Sequence, residues 1–275
     1  MATSLPLMHS SAVCHAHEHC DVITLIFKKC QFRLHIPKGL HFDPGNLTLL
    51  EHVCDAVQPG DRILYPGCGA GLLGLFCLAE RNDTHVHFSD VCETSVSTIT
   101  SNLIDSEYSS RYSVSISDLN DAPNEAGDVR YDVVVCNPPQ MPGPLELRLA
   151  RPDKYGGADG THYFRRLLEW SVALLRQGGG RVVFMQTSFS SFKVVDQLFR
   201  THGFNVRTLF VQMRRQSLNQ IDELASGCGN WLHRLRDAGS ADFAQESEAN
   251  GDIVLIYEQR IAVAERDADM HGIAR

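Results

Sequence analysis

The feature that most constrains the fold of this chain is a short apolar run that ends abruptly in two prolines. Residues 133–136 are apolar at every position, which predicts a strand buried on both faces. The run continues directly into Asn137, Pro138, Pro139 and Gln140. Because a proline lacks a backbone N–H and disfavours a helical conformation in the residue before it, the strand has to stop with Asn137 extended. In open α/β sheets, the carboxyl ends of such strands are where ligands bind.

Strand-like and helix-like stretches alternate along most of the chain. Strands that alternate with helices of 10 to 15 residues predict a parallel, doubly wound sheet. The last strand follows a polar insert, which predicts one antiparallel edge strand. We therefore predict an α/β fold with a mostly parallel, seven-stranded sheet and one antiparallel edge strand. The predicted strands are 63–65, 85–89, 112–116, 133–136, 181–186, 204–213 and 251–259.

Local composition predicts where the main domain begins and ends. The first 20 residues are rich in His and Cys, and we expect a disordered tail that could hold only a stray transition-metal ion. Two alternating apolar runs then predict a hairpin. The predicted parts are a tail at 1–20, a β-hairpin at 21–42, a main domain at 43–260 with an insert at 214–250, and a C-terminal tail at 261–275.

Charge and cysteine content limit the classes of partner. The net charge of −8 argues against a large surface that follows nucleic-acid phosphates. No apolar run approaches the ~20 residues of a membrane helix, and no secretory signal is predicted. The nine cysteines include several in apolar stretches, which suits reduced thiols in a cytoplasmic protein.

A second motif has the order strand, glycine loop, helix. It spans residues 61–80, with glycines at alternate positions of 67–71. This order brings backbone N–H groups close to a nucleotide-like ligand, although glycine loops before helices are common. Asp90 follows about 20 residues later at a strand end, where its carboxylate can accept hydrogen bonds from ribose hydroxyls. Asp118 ends the next strand in the same way.

Together these motifs resemble the class I S-adenosylmethionine (SAM) dependent methyltransferases, in the branch with an N-P-P-x signature. That branch includes glutamine N5-methyltransferases of release factors and ribosomal proteins, and adenine N6-methyltransferases of DNA and RNA. The resemblance covers about residues 40–260 and rests on the glycine loop, Asp90 and residues 137–140. A later segment, GGADG at 156–160, is similar to a loop of the glutamine methyltransferases.

The resemblance implies a SAM-dependent methyltransferase with a Rossmann-like fold, and it implies a role for individual residues. Asp90 would hold the ribose hydroxyls, and Asn137 with the Pro138 carbonyl would hold the substrate nitrogen in line with the methyl group. The implied cofactor-binding residues are Tyr65, Gly67, Gly69, Gly71, Asp90, Val91, Asp118, Leu119 and Asn137. The implied catalytic residues are Asn137, Pro138, Pro139 and Gln140. Gln140, Tyr155 and His162 are candidates for substrate binding, and no metal ligand is predicted.

The sequence departs from the family pattern at two positions. Tyr65 stands where the first strand of the family carries an acidic residue near the SAM amino group. Gln140 stands where the family carries an aromatic residue that stacks on a planar target. The second departure counts against a flipped nucleic-acid base as the substrate, because stacking normally holds an extruded base.

Several functions stay open on the sequence alone. We expect N-methylation of a small polar metabolite first, because the chain is acidic and carries Gln140 and the insert. A protein glutamine N5-methyltransferase is the alternative, and a nucleic-acid adenine N6-methyltransferase ranks below both. From other classes, a nicotinamide-dependent oxidoreductase and a non-catalytic SAM-binding module also remain.

Overall fold

A computed structural model describes residues 3–6, 10–16, 20–27, 30–37, 40, 45–104, 106–121 and 129–267. Contacts within the chain divide it into two compact units. Of the described residues, unit 1 comprises those up to Asp121 together with Val129–Cys136, and unit 2 comprises those from Asn137 onward. The chain therefore passes from unit 1 to unit 2 between Cys136 and Asn137, inside the motif described above.

Unit 1 contains two sheets. The first is an antiparallel meander of β1 (Thr3–Pro6), β2 (Ser10–Ala16), β3 (Cys20–Phe27) and β4 (Cys30–Pro37). The second is parallel, with the order β8-β5-β6-β7. Its elements are α1 (Gly45–Ala56), β5 (Arg62–Pro66), α2 (Leu72–Glu80), β6 (His85–Asp90), α3 (Glu93–Leu103), β7 (Tyr112–Ile116) and β8 (Val133–Cys136).

The parallel strands of unit 1 form where the apolar runs predict them. All four residues of β8 are buried, and Ile63 of β5 lies opposite Val133. Helix α2 is apolar nearly all round, and its residues Leu72–Leu78 are buried. A run of apolar residues without a polar face can be stable only when it is covered on every side. These elements therefore form the core that holds the glycine loop and Asp90 in place.

Unit 2 contains mainly antiparallel strands. Strand β12 pairs antiparallel with β9, β10 and β11, so it supplies the antiparallel part of the sheet. The elements are α4 (Leu145–Ala150), α5 (His162–Leu174), β9 (Arg181–Thr187), α6 (Phe192–Arg200), β10 (Phe204–Ser217), α7 (Leu218–Asp222), α8 (Cys228–Asp237), β11 (Ala244–Ser247) and β12 (Ile253–Arg266).

Four phenylalanines join the main elements of unit 2. The ring of Phe184 on β9 lies between those of Phe164 on α5 and Phe199 on α6, at centroid distances of 5.6 and 5.2 Å. Phe204, the first residue of β10, continues the row at 5.8 Å from Phe199. Aromatic pairs at these distances add attraction beyond the area that they bury. The row therefore fixes strand β9, which carries contacts of the N-P-P-Q segment.

The predicted fold class is confirmed as α/β, with a mostly parallel sheet and an antiparallel edge. Four parallel strands in unit 1 and three strands in unit 2 match the predicted seven, and β11 is an additional strand. In the part of the chain that the structure describes, no helix is long and apolar enough to cross a membrane.

The predicted C-terminal tail at 261–275 is corrected in its first part. Strand β12 continues to Arg266, and Ile261–Ala264 are completely buried. The prediction ended the last strand at Gln259 and treated the residues after Arg260 as a polar tail. Arg260 is buried instead, since its guanidinium bonds to the Asp196 carboxylate and the Gln186 side-chain oxygen, each at 2.6 Å. Residues 268–275 lie outside the described residues.

Two other predicted boundaries differ from the structure. Residues Thr3–Pro6 and Ser10–Ala16 are strands, whereas the sequence predicted a disordered tail over 1–20; residues 1–2, 7–9 and 17–19 lie outside the described residues.

The segment 214–250, predicted as a polar insert with one helical piece, contains the end of β10, helices α7 and α8, and β11. Helices α7 and α8 belong to a buried apolar cluster because their few apolar residues share one side. We call this the insert cluster, and its buried members are Leu147, Phe189, Ile221, Cys228, Leu232, Ala241, Phe243 and Leu255.

Candidate active site

The glycine loop of unit 1 connects β5 to α2 by a path that requires glycine. Gly67, Gly69 and Gly71 have φ angles of 64°, 53° and 82°, which other residues rarely adopt. A Cβ atom on Gly71 would lie 2.8 Å from Ile99 of α3, so this glycine also permits close packing. These three glycines have no side-chain heavy atoms and lie just before the N-terminus of α2. The loop therefore leaves room for a ligand to approach the backbone closely.

Asp90 connects the glycine loop to the end of β6. One carboxylate oxygen accepts the Gly69 N–H at 2.8 Å, and the other accepts the Cys92 N–H at 2.9 Å. The side chain is buried, at 8% exposure. A carboxylate has about four lone-pair positions, so each oxygen can still accept a bond from a ribose hydroxyl. The residue that the sequence predicted as a ligand-binding group thus also fixes the loop that would hold the ligand.

Apolar and polar groups suited to an adenine ring occur at the ends of β6 and β7. Val91 is 65% exposed and Ile116 is 53% exposed, although both are aliphatic. Asp118 accepts hydrogen bonds from the backbone and side chain of Asn120 at 2.8 and 2.9 Å. Leu119 is buried. Exposed aliphatic side chains beside a carboxylate fit the apolar faces and the amino group of adenine, and this chemistry agrees with the predicted cofactor.

Tyr65 lies in the core of unit 1, with 1% of its surface exposed. Burial raises its pKa well above the usual value, and the neighbouring Cys68 raises it further, so the phenol stays neutral. The ring lies 6.2 Å from that of Phe88. Position 65 therefore supplies no negative charge for the SAM amino group, and a contact between Tyr65 and the cofactor stays a prediction.

In unit 2, the N-P-P-Q segment is held by the side chain of its last residue. The Gln140 amide nitrogen donates to the carbonyl of Met185 at 3.1 Å, and its oxygen accepts the Thr187 N–H at 2.6 Å. The same nitrogen makes longer contacts of 3.4 Å with the Asn137 side-chain oxygen and the Pro138 carbonyl. Gln140 is buried, so its predicted contact with substrate stays a prediction.

The predicted GGADG loop packs directly against this segment. Met141 pairs with the loop through two backbone hydrogen bonds of 2.8 Å, from its N–H to Lys154 and from the Gly156 N–H to its own carbonyl. A Cβ atom on Gly156 would lie 2.5 Å from the Cα of Gln140, and one on Gly160 would lie 2.7 Å from its carbonyl oxygen. The two glycines therefore allow backbone to touch backbone.

Tyr155 and His162 occupy different surroundings. Tyr155 packs against the insert cluster, whereas His162 is exposed at the start of α5, with its backbone N–H bonded to the Gly156 carbonyl. Their predicted contacts with substrate are not tested by these positions. Among the residues that the structure describes, no group of three His, Cys, Asp or Glu side chains could hold a metal ion.

Sequence reasoning missed the contacts that hold these loops. The indole N–H of Trp231 on α8 donates to the Ala158 carbonyl at 2.7 Å and so ties the GGADG loop to the insert. Met185 and Thr187 act through backbone groups, which carry no sequence signal. For Trp231, the only signal was its place on an amphipathic helix in a polar stretch.

Comparisons with known proteins identify the family of this chain. The sequence model of the family described as methyltransferase small domain matches residues 39–208. A release factor glutamine methyltransferase from Clostridium acetobutylicum is 25% identical over 210 residues, which are 70% of this chain and 73% of that protein.

Two solved structures share the fold. The first is SMU.776, described as a methyltransferase and complexed with S-adenosylhomocysteine (SAH); it has a TM-score of 0.54 and 10% identity, over 90% of this chain and 58% of that one. The second is the YcgJ protein from Bacillus subtilis, with a TM-score of 0.51 and 11% identity, over 81% of this chain and 99% of that one. At such identities the structural likeness shows the fold alone.

Proposed function

The chain belongs to the methyltransferase small domain family of SAM-dependent methyltransferases, and on that premise we propose that it methylates a nitrogen atom held by Asn137 and Pro138. The observation that carries this proposal is the pair of oxygen atoms at the start of the N-P-P-Q segment. The Asn137 side-chain oxygen and the Pro138 carbonyl both contact one donor, the Gln140 amide nitrogen. An amide or carbonyl oxygen has two lone pairs and can accept more than one N–H.

We assign cofactor binding to unit 1. The backbone of the glycine loop and the Asp90 carboxylate would hold the methionine and ribose parts of SAM, and Val91, Asp118 and Leu119 would hold the adenine. SAM, when bound, supplies a methyl group on a positively charged sulfur, which an acceptor nitrogen can take with loss of one proton, leaving SAH. The protein then has to bind and orient the acceptor, and orientation can contribute on the order of 7–11 kcal/mol at best.

We assign acceptor binding to the N-P-P-Q segment of unit 2. Two oxygen acceptors match the two N–H groups of a carboxamide or primary amine. Both oxygens also stabilise positive charge as it develops on the nitrogen during transfer. The prolines limit the backbone conformations of the segment, so the oxygens need little reorganisation when the substrate binds. In this assignment Asn137 and Pro138 are catalytic residues, and Pro139 restricts their conformation.

The first candidate acceptor is the carboxamide of a glutamine side chain in a protein. The relative that is a release factor glutamine methyltransferase supports this choice, as does the GGADG loop packed on Gln140. Two of the three features that favoured a metabolite now have structural roles, since Gln140 bonds within unit 2 and the insert forms an apolar cluster.

The second candidate is a small polar metabolite that carries an amide or amine. The observation in its favour is that position 140 provides no aromatic ring, so the acceptor does not need a planar surface for stacking. The acidic net charge of −8 agrees with either candidate and disfavours a nucleic-acid substrate.

Methyl-labelled SAM tests the proposal and separates the two candidates. The purified protein is incubated with the label and a cell extract, and the products are divided into protein, nucleic-acid and small-molecule fractions. Label in the protein fraction that survives as N5-methylglutamine after digestion supports the first candidate. Label in the small-molecule fraction supports the second. Label recovered on oxygen, carbon or sulfur in any fraction would overturn the assignment of a nitrogen acceptor.

A further inference from the structure

The side chain of Gln140 is directed into unit 2 and has a partner for each of its polar atoms. Its oxygen accepts the Thr187 N–H at 2.6 Å, and its nitrogen donates to the Met185 carbonyl at 3.1 Å. Only 9% of the residue is exposed. A buried amide with its strongest bonds to the backbone of another element has a structural partner at both ends, and little of it is left for a substrate.

The two backbone groups that Gln140 bonds are separated by one residue on β9. In a parallel ladder, a residue opposite position 186 would donate its N–H to the carbonyl of 185 and accept the N–H of 187. The primary carboxamide of Gln140 makes the same pair of bonds with Met185 and Thr187. Its side chain therefore substitutes for one residue of a neighbouring parallel strand, at a place where prolines prevent a regular strand.

The backbone of Gln140 is fixed by the GGADG loop. Any side chain at Gly156 would collide with the Cα and carbonyl carbon of Gln140, at 2.5 and 2.7 Å from its Cβ. A Cβ atom on Gly160 would likewise collide with the carbonyl oxygen of Gln140, at 2.7 Å. With the backbone held from one side and the side chain bonded to β9, the amide nitrogen has one available position, next to Asn137 and Pro138.

We propose that Gln140 is a positioning residue: it aligns the Asn137 side-chain oxygen and the Pro138 carbonyl for the acceptor nitrogen and does not itself touch the substrate. This inference rests on the proposed function. The family signature leads us to expect an aromatic contact with substrate at its fourth position. Here that contact is replaced by the hydrogen bonds of the Gln140 side chain, which we call the brace. The acceptor is then selected by its N–H groups, not by stacking on residue 140.

Two substitutions test the brace, because they keep the size of the side chain and change its bonding. Gln140→Glu places a carboxylate, which cannot donate, among three oxygen atoms. Gln140→Leu removes all hydrogen bonds. Turnover is measured with labelled SAM and the extract fraction that the wild type labels. We expect each variant to lower turnover at least tenfold at pH 8. The dissociation constant for SAM should change less than twofold. Gln197→Glu, at an exposed position of α6 in the same unit, is the matched control and should change neither quantity.

The pH profile distinguishes a brace from general destabilisation. A protonated glutamate regains one donor and one acceptor in nearly the positions of the glutamine amide, and burial raises the pKa of a carboxyl group. We therefore expect the turnover of Gln140→Glu, relative to the wild type, to recover as the pH falls from 8 to 6, whereas Gln140→Leu shows no recovery. If Gln140→Leu does not fold, the recovery of Gln140→Glu carries the test.

Amide hydrogen exchange provides a readout that needs no substrate. The Thr187 amide should exchange at least tenfold faster in Gln140→Leu than in the wild type, because leucine offers no acceptor for the Thr187 N–H. A glutamate at this position would still accept it. Wild-type turnover in both variants would overturn the inference, as would an unchanged Thr187 exchange rate. Asn137→Ala separates this failure from a failure of the proposed function. If Asn137→Ala also keeps full turnover, the acceptor site itself is wrongly assigned. If only Asn137→Ala loses turnover, the role of Gln140 alone is rejected.

Discussion

Asp90 shows how one residue can combine a binding role with a structural role. Its carboxylate accepts N–H groups from Gly69 and Cys92 and is proposed to accept the ribose hydroxyls as well. We expect Asp90→Ala to weaken SAM binding at least tenfold, which corresponds to about 1.4 kcal/mol, because both the ribose contact and the loop anchor are lost. Isothermal titration calorimetry measures the change. Asp55→Ala, at an exposed position of α1, is the control, and equal affinities in the two variants would contradict the assignment.

The cysteines of unit 1 should differ strongly in reactivity. Cys92 is exposed, and hydrogen bonding to the backbone of Ser95 at the start of α3 lowers its pKa. Burial raises the pKa of both Cys68 and Cys136. Because the thiolate is the reactive form, we expect iodoacetamide at pH 7.5 to alkylate Cys92 at least tenfold faster than the other two. Peptide mass spectrometry over a time course gives the rates. Comparable rates at the three sites would show that the buried thiols are accessible.

The site residues that the sequence predicts are those whose chemistry follows from their spacing to a motif nearby in the chain. Asp90 was predicted from its distance to the glycine loop, and Asn137 from the prolines that follow it. The direction of the Gln140 side chain could not be predicted, because its partners are backbone groups of β9. A backbone N–H or carbonyl is the same in every residue type, so its availability depends on the fold and not on the local sequence.

At the scale of elements, helix α8 of the insert stabilises the GGADG loop. Trp231 bonds the Ala158 carbonyl, and the Arg234 guanidinium lies 4.7 Å from its ring centre. Trp231→Phe keeps a ring but removes the donor. We expect faster hydrogen exchange over residues 156–160 and a KM for the acceptor that is raised about threefold to tenfold, with the SAM dissociation constant unchanged. Asn230→Ala, at an exposed position of the same helix, is the control. Unaltered exchange in Trp231→Phe would contradict a role of the insert in acceptor binding.

The boundaries of elements were predicted well where an apolar run ends at a proline or glycine, and poorly where a charged residue is buried. Strand β8 and helix α2 begin and end where expected. Strand β12 extends beyond Arg260 because Asp196 and Gln186 satisfy the buried guanidinium, and both partners come from distant parts of the chain. The sequence predicts a polar insert because its apolar residues are few, yet they pack with residues outside it, such as Leu147.

At the scale of the whole molecule, the proposed division of labour places the cofactor residues in unit 1 and the acceptor residues in unit 2. The change between units falls between Cys136 and Asn137, two adjacent residues of the motif. In this proposal, residues 133–136 belong to the cofactor unit and residues 137–140 belong to the acceptor unit.

The thermal stability of the whole chain should report on cofactor binding by mass action. A ligand at 100 times its dissociation constant stabilises the folded state by about 2.7 kcal/mol, and each kcal/mol raises the Tm of a chain of this size by roughly 2–4 °C. We therefore expect SAH at that concentration to raise the Tm by roughly 5–10 °C, measured by differential scanning fluorimetry. If Asp90→Ala weakens binding tenfold, the same SAH concentration should give about half of that stabilisation. Equal shifts in the variant and the wild type would show that SAH binds without Asp90. A ligand that binds only the folded state has to stabilise it. The absence of a shift in the wild type would therefore contradict cofactor binding by the chain.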